Sequence, residues 1–252
     1  NMHSVMNTIY SPFALTAEYK KYSAMEIYEM LSDSKNILLR EKVMKFAAQN
    51  GLIYIKDNSG TNINVQIIDT AKLPNTLTNS AIDAMPVLIV MDYAFGEQAF
   101  ETLDELLKPY KKSKKIINFL DVKSVSIMGK AGILEGGKGD IMLPSAHVFE
   151  GTADNYPFKN MLKKSHFEEE EIKVCKGAMI TVLGTSLQNK DILKFFKNST
   201  WNVVGLEMEG AHYQKAIQSA SKIRRSISSK VKVQYAYYAS DNPLETGSTL
   251  AS

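Results

Sequence analysis

One cysteine, Cys175, stands in 252 residues. That excludes a disulfide within the chain and implies a reducing, cytoplasmic setting. Within "EIKVCKGAMITVLG" the thiol falls on an expected strand, where a cysteine is a small buried apolar residue rather than a nucleophile. Long apolar runs are also missing. The longest, "MPVLIVM", is far too short to span a bilayer, and the first residues carry no charged-then-apolar leader pattern. No membrane partner is expected. Strong charge of one sign is absent too: 30 basic and 27 acidic residues leave a net +3. This balance argues against nucleic acid as a partner, which calls for a clustered basic face. The basic residues that do cluster, Lys111, Lys112, Lys114, Lys115 and Arg224, Arg225, follow expected helices, where cations suit the C-terminal end. The four histidines, at 3, 147, 166 and 212, lack metal-ligand spacing, so no metal site is expected. The chain has neither the Gly-x-x-x-x-Gly-Lys-Ser/Thr pattern of a nucleotide P-loop nor the Gly-x-Ser-x-Gly of a serine hydrolase. There is no Pro/Gly/Ser-rich linker and no internal repeat, so residues 1–252 are expected to form one domain.

What is present is 44% hydrophobic sequence in which apolar runs alternate with helical patterns. "SVMNTIY" (4–10) reads as a first strand, followed by helices over about 17–31 and 36–50, the second stopped by Gly51. "LIYIKDNSGTNINVQIID" (52–69) reads as a hairpin around Asn58, Ser59 and Gly60. "PVLIVMDY" reads as a buried strand, and "GEQAFETLDELLKPY" as an amphipathic helix ended by Pro109. "VKSVSIMG", "GDIMLP", "AMITVLG", "WNVVGLEM" and "KVQYAYYAS" add strands, with a helix at "GAHYQKAIQSASKIRRSI". The alternation predicts an α/β domain with a mixed, mostly parallel central sheet flanked by helices; the hairpin makes the sheet mixed.

In such folds ligands bind on loops beyond the carboxyl ends of strands. The filter selects residues 94–97, 129–132, 184–186, 207–210 and 240–243. At "MGKAG", Gly129 and Gly132 flank Lys130 and Ala131, a turn in which backbone N–H groups approach an anion or sugar closely and Lys130 adds charge; an ordinary tight turn fits equally well. "HVFEGTADNYPF" (147–158) reads as a loop whose mixture of polar and aromatic residues suits a planar ligand. At "GLEMEGAHY", Glu207 and Glu209 bracket Met208 where an apolar strand becomes a helix. Either the acids sit at a solvated helix start, or they hold a sugar or cation. "ASDNP" puts Ser240 and Asp241 at the end of the last strand, a pattern that by itself is a turn or cap.

Taken in order along the chain, these stretches resemble the nucleoside phosphorylase/nucleosidase superfamily. "VLIVMDYAFGEQAFETLDELL" is similar to its strand–Gly–helix unit, and "SVSIMGKAGILEGGKGDIML" to its Gly turn and following Gly-Asp strand. "FEGTADNYP" resembles the Glu-Gly-Thr-Ser-x-x-Tyr stretch of uridine phosphorylases and AMP nucleosidases. "VLGTSLQN" resembles the pocket strand, "GLEMEGAHY" the Glu-Met-Glu-Gly/Ala-Ala motif, and "ASDNP" the Ser-Asp motif. The resemblance implies that Glu209 accepts hydrogen bonds from ribose hydroxyls, that Met208 packs against sugar and base, and that Asp241 is the general acid at a departing purine. Glu207, Gly129, Lys130, Ala131, Gly132, Leu187 and Ser240 fall on the remaining substrate-binding positions, with Leu187 where the family often has an aromatic. The chemistry suits a bond whose cleavage leaves positive charge on the sugar and negative charge on the base. Arginines that phosphorylases use for phosphate are missing from "SPFALTAEY" and "SVSIMGKAG". The expectation is therefore hydrolysis of a purine nucleoside or nucleotide, without a cofactor, inorganic phosphate remaining a conceivable co-substrate. The alternative is a degenerate nucleoside-binding or scaffold protein of the same fold. The resemblance further implies a homo-oligomer, for which "VQYAYYA" and "NYPF" offer apolar surface, and a further helix beyond Ser252.

Overall fold

Met6, Tyr10 and Ala14 fall four residues apart and bury one face of a helix, α1 (Met2–Ala14). The strand expected over residues 4–10 is thus helical. Its apolar residues read equally well at helical spacing, and the partners that decide are distant in sequence. The structure, a computed structural model, describes residues 2–74, 85–113, 117–167, 172–184 and 189–246. The chain folds as two compact units, Asn1–Tyr93 and Ala94–Ser252.

In the first unit, α2 (Ala24–Ser32) starts later than expected, because Ser23 and Glu26 form a reciprocal capping box at its N-terminus. Helix α3 (Ile37–Gln49) ends at Gly51, whose φ of +97° and proximity to the Asp69 carbonyl both call for glycine. The expected hairpin forms from β1 (Leu52–Ile55) and β2 (Val65–Asp69), with β2 in the middle and β3 (Val87–Met91) antiparallel on its other side. These strands make a separate three-stranded sheet, so the hairpin does not enter the central sheet as expected. Leu52 and Ile68 pack with Met6, Tyr10, Ile27, Leu31 and Val43 in one core. β3 is an edge strand with Val87 and Ile89 exposed, not the buried strand its composition suggests.

In the second unit, α4 (Glu97–Leu106) precedes a short pair, β4 (Tyr110–Lys111) and β5 (Ile117–Asn118). Then come β6 (Ser124–Ile133), β7 (Ile141–Phe149), β8 (Asn155–Pro157), β9 (Val174–Thr181), α5 (Lys190–Asn198), β10 (Val203–Glu207), α6 (Gly210–Gln218), β11 (Lys232–Asp241) and α7 (Pro243–Thr246). Six strands form one mixed sheet in the order β11-β6-β10-β9-β7-β8, and β11 also pairs with β7. The long ladders, β11 on β6 and β7 on β9, are parallel, as is β10 on β9; the antiparallel ladders are short. Leu134, Val148, Ile180, Leu193 and Leu206 form part of its core. Cys175 is buried in β9, as its strand context predicts, and burial raises its thiol pKa.

Two expectations about loops are corrected here. Residues 129–132 are not a turn but the last part of β6, with Gly129, Lys130 and Ala131 in register with Tyr237, Tyr238 and Ala239. Small residues alone do not bend a strand whose backbone groups are already paired. The segment from His147 is likewise not a loop at its start: His147, Val148 and Phe149 end β7 and pair with β8 and β9.

Candidate active site

Glu207 ends β10 in register with Thr181 of β9 and is 2% exposed. Burying a carboxylate is costly unless its oxygens are occupied. Here Oε1 accepts the Thr181 hydroxyl at 2.5 Å and lies 3.4 Å from His147 Nδ1. Oε2 accepts the backbone N–H groups of Glu209, at 2.6 Å, and Gly210. Burial pushes the pKa up, but His147, the Thr181 hydroxyl and the Gly210 N–H outweigh it and leave Glu207 below the usual carboxylate value. The side chain therefore caps the first turn of α6, whose N–H groups have no partner within the helix and whose dipole favours an anion. Thr181 adds to the cap by accepting Ala211 N–H at 2.9 Å.

Glu209 is placed differently. It is only partly buried, and Oε1 accepts Gly96 N–H at 3.3 Å. Gly96 has φ +52° at the start of α4, and the same loop is tied to α6 by Ala94 N–H donating to Tyr213 Oη at 3.0 Å. Burial, helped by the nearby Glu207 charge, raises the Glu209 pKa to about 7. Met208, between the two acids, is 37% exposed.

Asp241 reaches the same region from β11. Gly132 of β6 is in register with Leu206 of β10 on one side and Asp241 of β11 on the other. Two strand spacings separate those backbones by about 10 Å. Ser240 Oγ donates to Asp241 Oδ1 at 2.7 Å, while buried Oδ2 has no hydrogen-bond partner among the described residues. Of the residues singled out from the sequence, Gly132 lies on β6 between β10, which leads to Glu207, Met208 and Glu209, and β11, which ends at Ser240 and Asp241. Gly129 and Lys130 lie farther back along β6, with Lys130 exposed. Ala131 is buried and its carbonyl lies 3.3 Å from Ser240 Oγ. Leu187 lies outside the described residues.

His147 is the member whose setting the sequence concealed. Fully buried, it stacks on Phe158 with ring centroids 5.5 Å apart and faces Tyr235 at 4.8 Å and Tyr237 at 5.9 Å. The polar and aromatic residues of 147–158 are thus largely engaged with the protein: Phe149 packs on His212, and Glu150 accepts Leu183 N–H. A signal was present in Gly210, where any Cβ would collide with His147 and Tyr237. Of the basic residues, Arg224 pairs with Asp104 at 2.5 Å, an ion pair apart from these acids. Among the described residues no group of three His, Cys, Asp or Glu is placed to hold a metal ion, and no helix is long and apolar enough to cross a membrane.

The mixed six-stranded sheet, with acids at the ends of β10 and β11, belongs to the nucleoside phosphorylase/nucleosidase fold. Helicobacter pylori MTAN has this fold, with a TM-score of 0.53 and 14% identity over 81% of this chain and 84% of its own. Campylobacter jejuni 5′-methylthioadenosine/S-adenosyl homocysteine nucleosidase gives 0.52 and 13%, covering 77% and 78%. The native futalosine hydrolase of Helicobacter pylori strain 26695 gives 0.51 and 14%, covering 78% and 80%. At such identities the likeness is one of fold. In sequence, the chain belongs to the family of unknown function DUF6909, matched over residues 2–252. No curated protein matches it significantly.

Proposed function

We propose that the chain hydrolyses the N-glycosidic bond of a purine nucleoside or nucleotide. The observation behind this proposal is that Gly132 of β6 is in register with Leu206 of β10, the strand that leads to Glu209, and with Asp241 of β11; we assign Glu209 to the sugar and Asp241 to the leaving base. Glu209, partly open and lightly held by Gly96, is free to accept ribose hydroxyls. Met208 offers an apolar cover for the sugar. Asp241 is oriented by Ser240 through one oxygen; its second oxygen, buried and without a hydrogen-bond partner among the described residues, is the one we assign to protonating the base as the glycosidic bond breaks, which requires the site to open to the substrate. Glu207 is saturated by protein partners, so its part is to fix the turn that carries Glu209 rather than to touch the sugar. Three solved proteins of the same fold, named as nucleosidases or a hydrolase, support hydrolysis. So does the absence of arginine from "SVSIMGKAG".

Incubating the chain with purine and pyrimidine nucleosides and nucleotides, with and without inorganic phosphate, tests this directly by chromatography of free base. Purine release without phosphate is expected. Release that requires phosphate overturns hydrolysis, and ligand binding without any release replaces the enzyme with a nucleoside-binding protein.

A further inference from the structure

His147 is fully buried, and neither ring nitrogen has a hydrogen-bond partner of good geometry among the described residues. Burying a polar nitrogen unpaired is costly, so such an imidazole calls for an explanation. It sits near the end of β7, in register with Met179 of β9 and Tyr156 of β8. Phe158, Tyr235 and Tyr237 pack around the ring. Gly210 closes the side towards α6, since a Cβ there would run into Cε1 and Nδ1. The titratable groups that face the ring are Glu207 from β10 and Tyr235 and Tyr237 from β11. Nδ1 is held 3.4 Å from Glu207 Oε1, a few tenths of an ångström beyond a direct N–H···O bond.

Which nitrogen carries the proton follows from that neighbour. The Thr181 hydroxyl and two backbone N–H groups all donate to Glu207, which favours the carboxylate. A bare Nδ1 would set its lone pair against those of Oε1, whereas Nδ1–H donates to it. We propose that His147 is a positioning residue for ribose recognition: its Nδ1–H holds Glu207 as the cap of α6, and with it the turn that presents Glu209. The proposal rests on the nucleoside reading above for what Glu209 recognises, but not for the holding of Glu207. Burial alone would raise the Glu207 pKa, and His147 heads the groups that bring it below the usual carboxylate value. Without His147, Oε1 keeps the Thr181 hydroxyl alone, and the turn before α6 loses its support from β7.

Two variants of the full chain test this: His147→Leu, which removes the donor, and His147→Asn, whose amide can restore one near Nδ1. Binding of adenosine and 2′-deoxyadenosine is measured by calorimetry at pH 8, where Glu209 is mainly ionised. The wild-type chain should prefer adenosine by about 10- to 100-fold, the scale of a hydrogen bond to a charged group. His147→Leu should lose most of that preference while 2′-deoxyadenosine binds nearly unchanged, and His147→Asn should keep it. Equal weakening of both ligands, or His147→Asn behaving as His147→Leu, overturns the proposal. A wild-type chain that binds neither ligand refutes the nucleoside reading instead, and carboxylate NMR of Glu207 then decides. Its titration midpoint should rise in His147→Leu and return in His147→Asn; an unmoved midpoint overturns the role of His147. Should His147→Leu fail to fold, nitrogen NMR of the wild-type imidazole gives the answer, with a proton on Nδ1 expected and a bare Nδ1 fatal.

Discussion

Asp241 and Glu207 show how two carboxylates at the ends of strands in one sheet come to differ. Glu207 has both oxygens committed, one to the Thr181 hydroxyl and the other to two backbone N–H groups, with His147 Nδ1 3.4 Å away, whereas Asp241 has one oxygen committed to Ser240. Only a carboxyl with an uncommitted oxygen can both touch a departing base and give it a proton. Asp241→Asn keeps the shape and the bond to Ser240 but has no proton to release. It is expected to bind purine ligand nearly as wild type does and to lose turnover by about 10²–10⁴-fold. A nitrophenyl riboside, whose leaving group needs no proton, should escape most of that loss if it binds. Single-turnover rates on both substrates provide the measurement, and equal damage to both would make Asp241 a structural cap.

The start of α6 is where the two acids of one motif part company. A solvated helix start and an acid that holds a sugar or cation were the two readings of the paired glutamates; Glu207 takes the helix start, and Glu209 is proposed for the sugar. Glu207 is the cap, though buried rather than solvated, and Glu209 is the group left open. Their order was legible in the motif; the division of labour was not, because it depends on Thr181 from β9 and His147 from β7. Gly210 lets the helix approach His147. Gly→Ala in a helix is ordinarily favourable. At Gly210 the new methyl would collide with His147 and the Tyr237 hydroxyl, so Gly210→Ala should destabilise the chain by about 1–3 kcal/mol. Gly132→Ala, whose Cβ would meet Pro243 at an ordinary 3.4 Å, should cost much less. Urea titrations of the two variants make the comparison, and equal costs would contradict this packing.

At the scale of the whole molecule, the two glutamates link stability to pH in opposite senses. Glu209 takes up its proton near pH 7 in the folded chain instead of at 4.5. Its contribution is therefore fully present below about pH 4.5 and is lost as pH rises through about 7. Glu207, held below 4.5, contributes above that pH and loses its contribution as pH falls. The melting temperature of the unliganded chain should accordingly decline between pH 5 and pH 8. Glu209→Gln should flatten that decline and raise stability at pH 8 by about 1–3 kcal/mol. Calorimetric scans across the range are the check, and an unaltered slope in the variant refutes the buried, charge-repelled setting of Glu209.

The sequence by itself determined the α/β class, the hairpin at residues 52–69, most strands of the second unit and the two acidic motifs, because periodicity, glycine stops and short motifs are local signals. Only the tertiary structure decided that residues 4–10 are helical, that "MGKAG" stays in a strand, and that His147 stands behind Glu207. Each of those outcomes depends on a partner far along the chain: the core around Met6 and Tyr10, the β11 ladder on β6, and the register of β7 with β9.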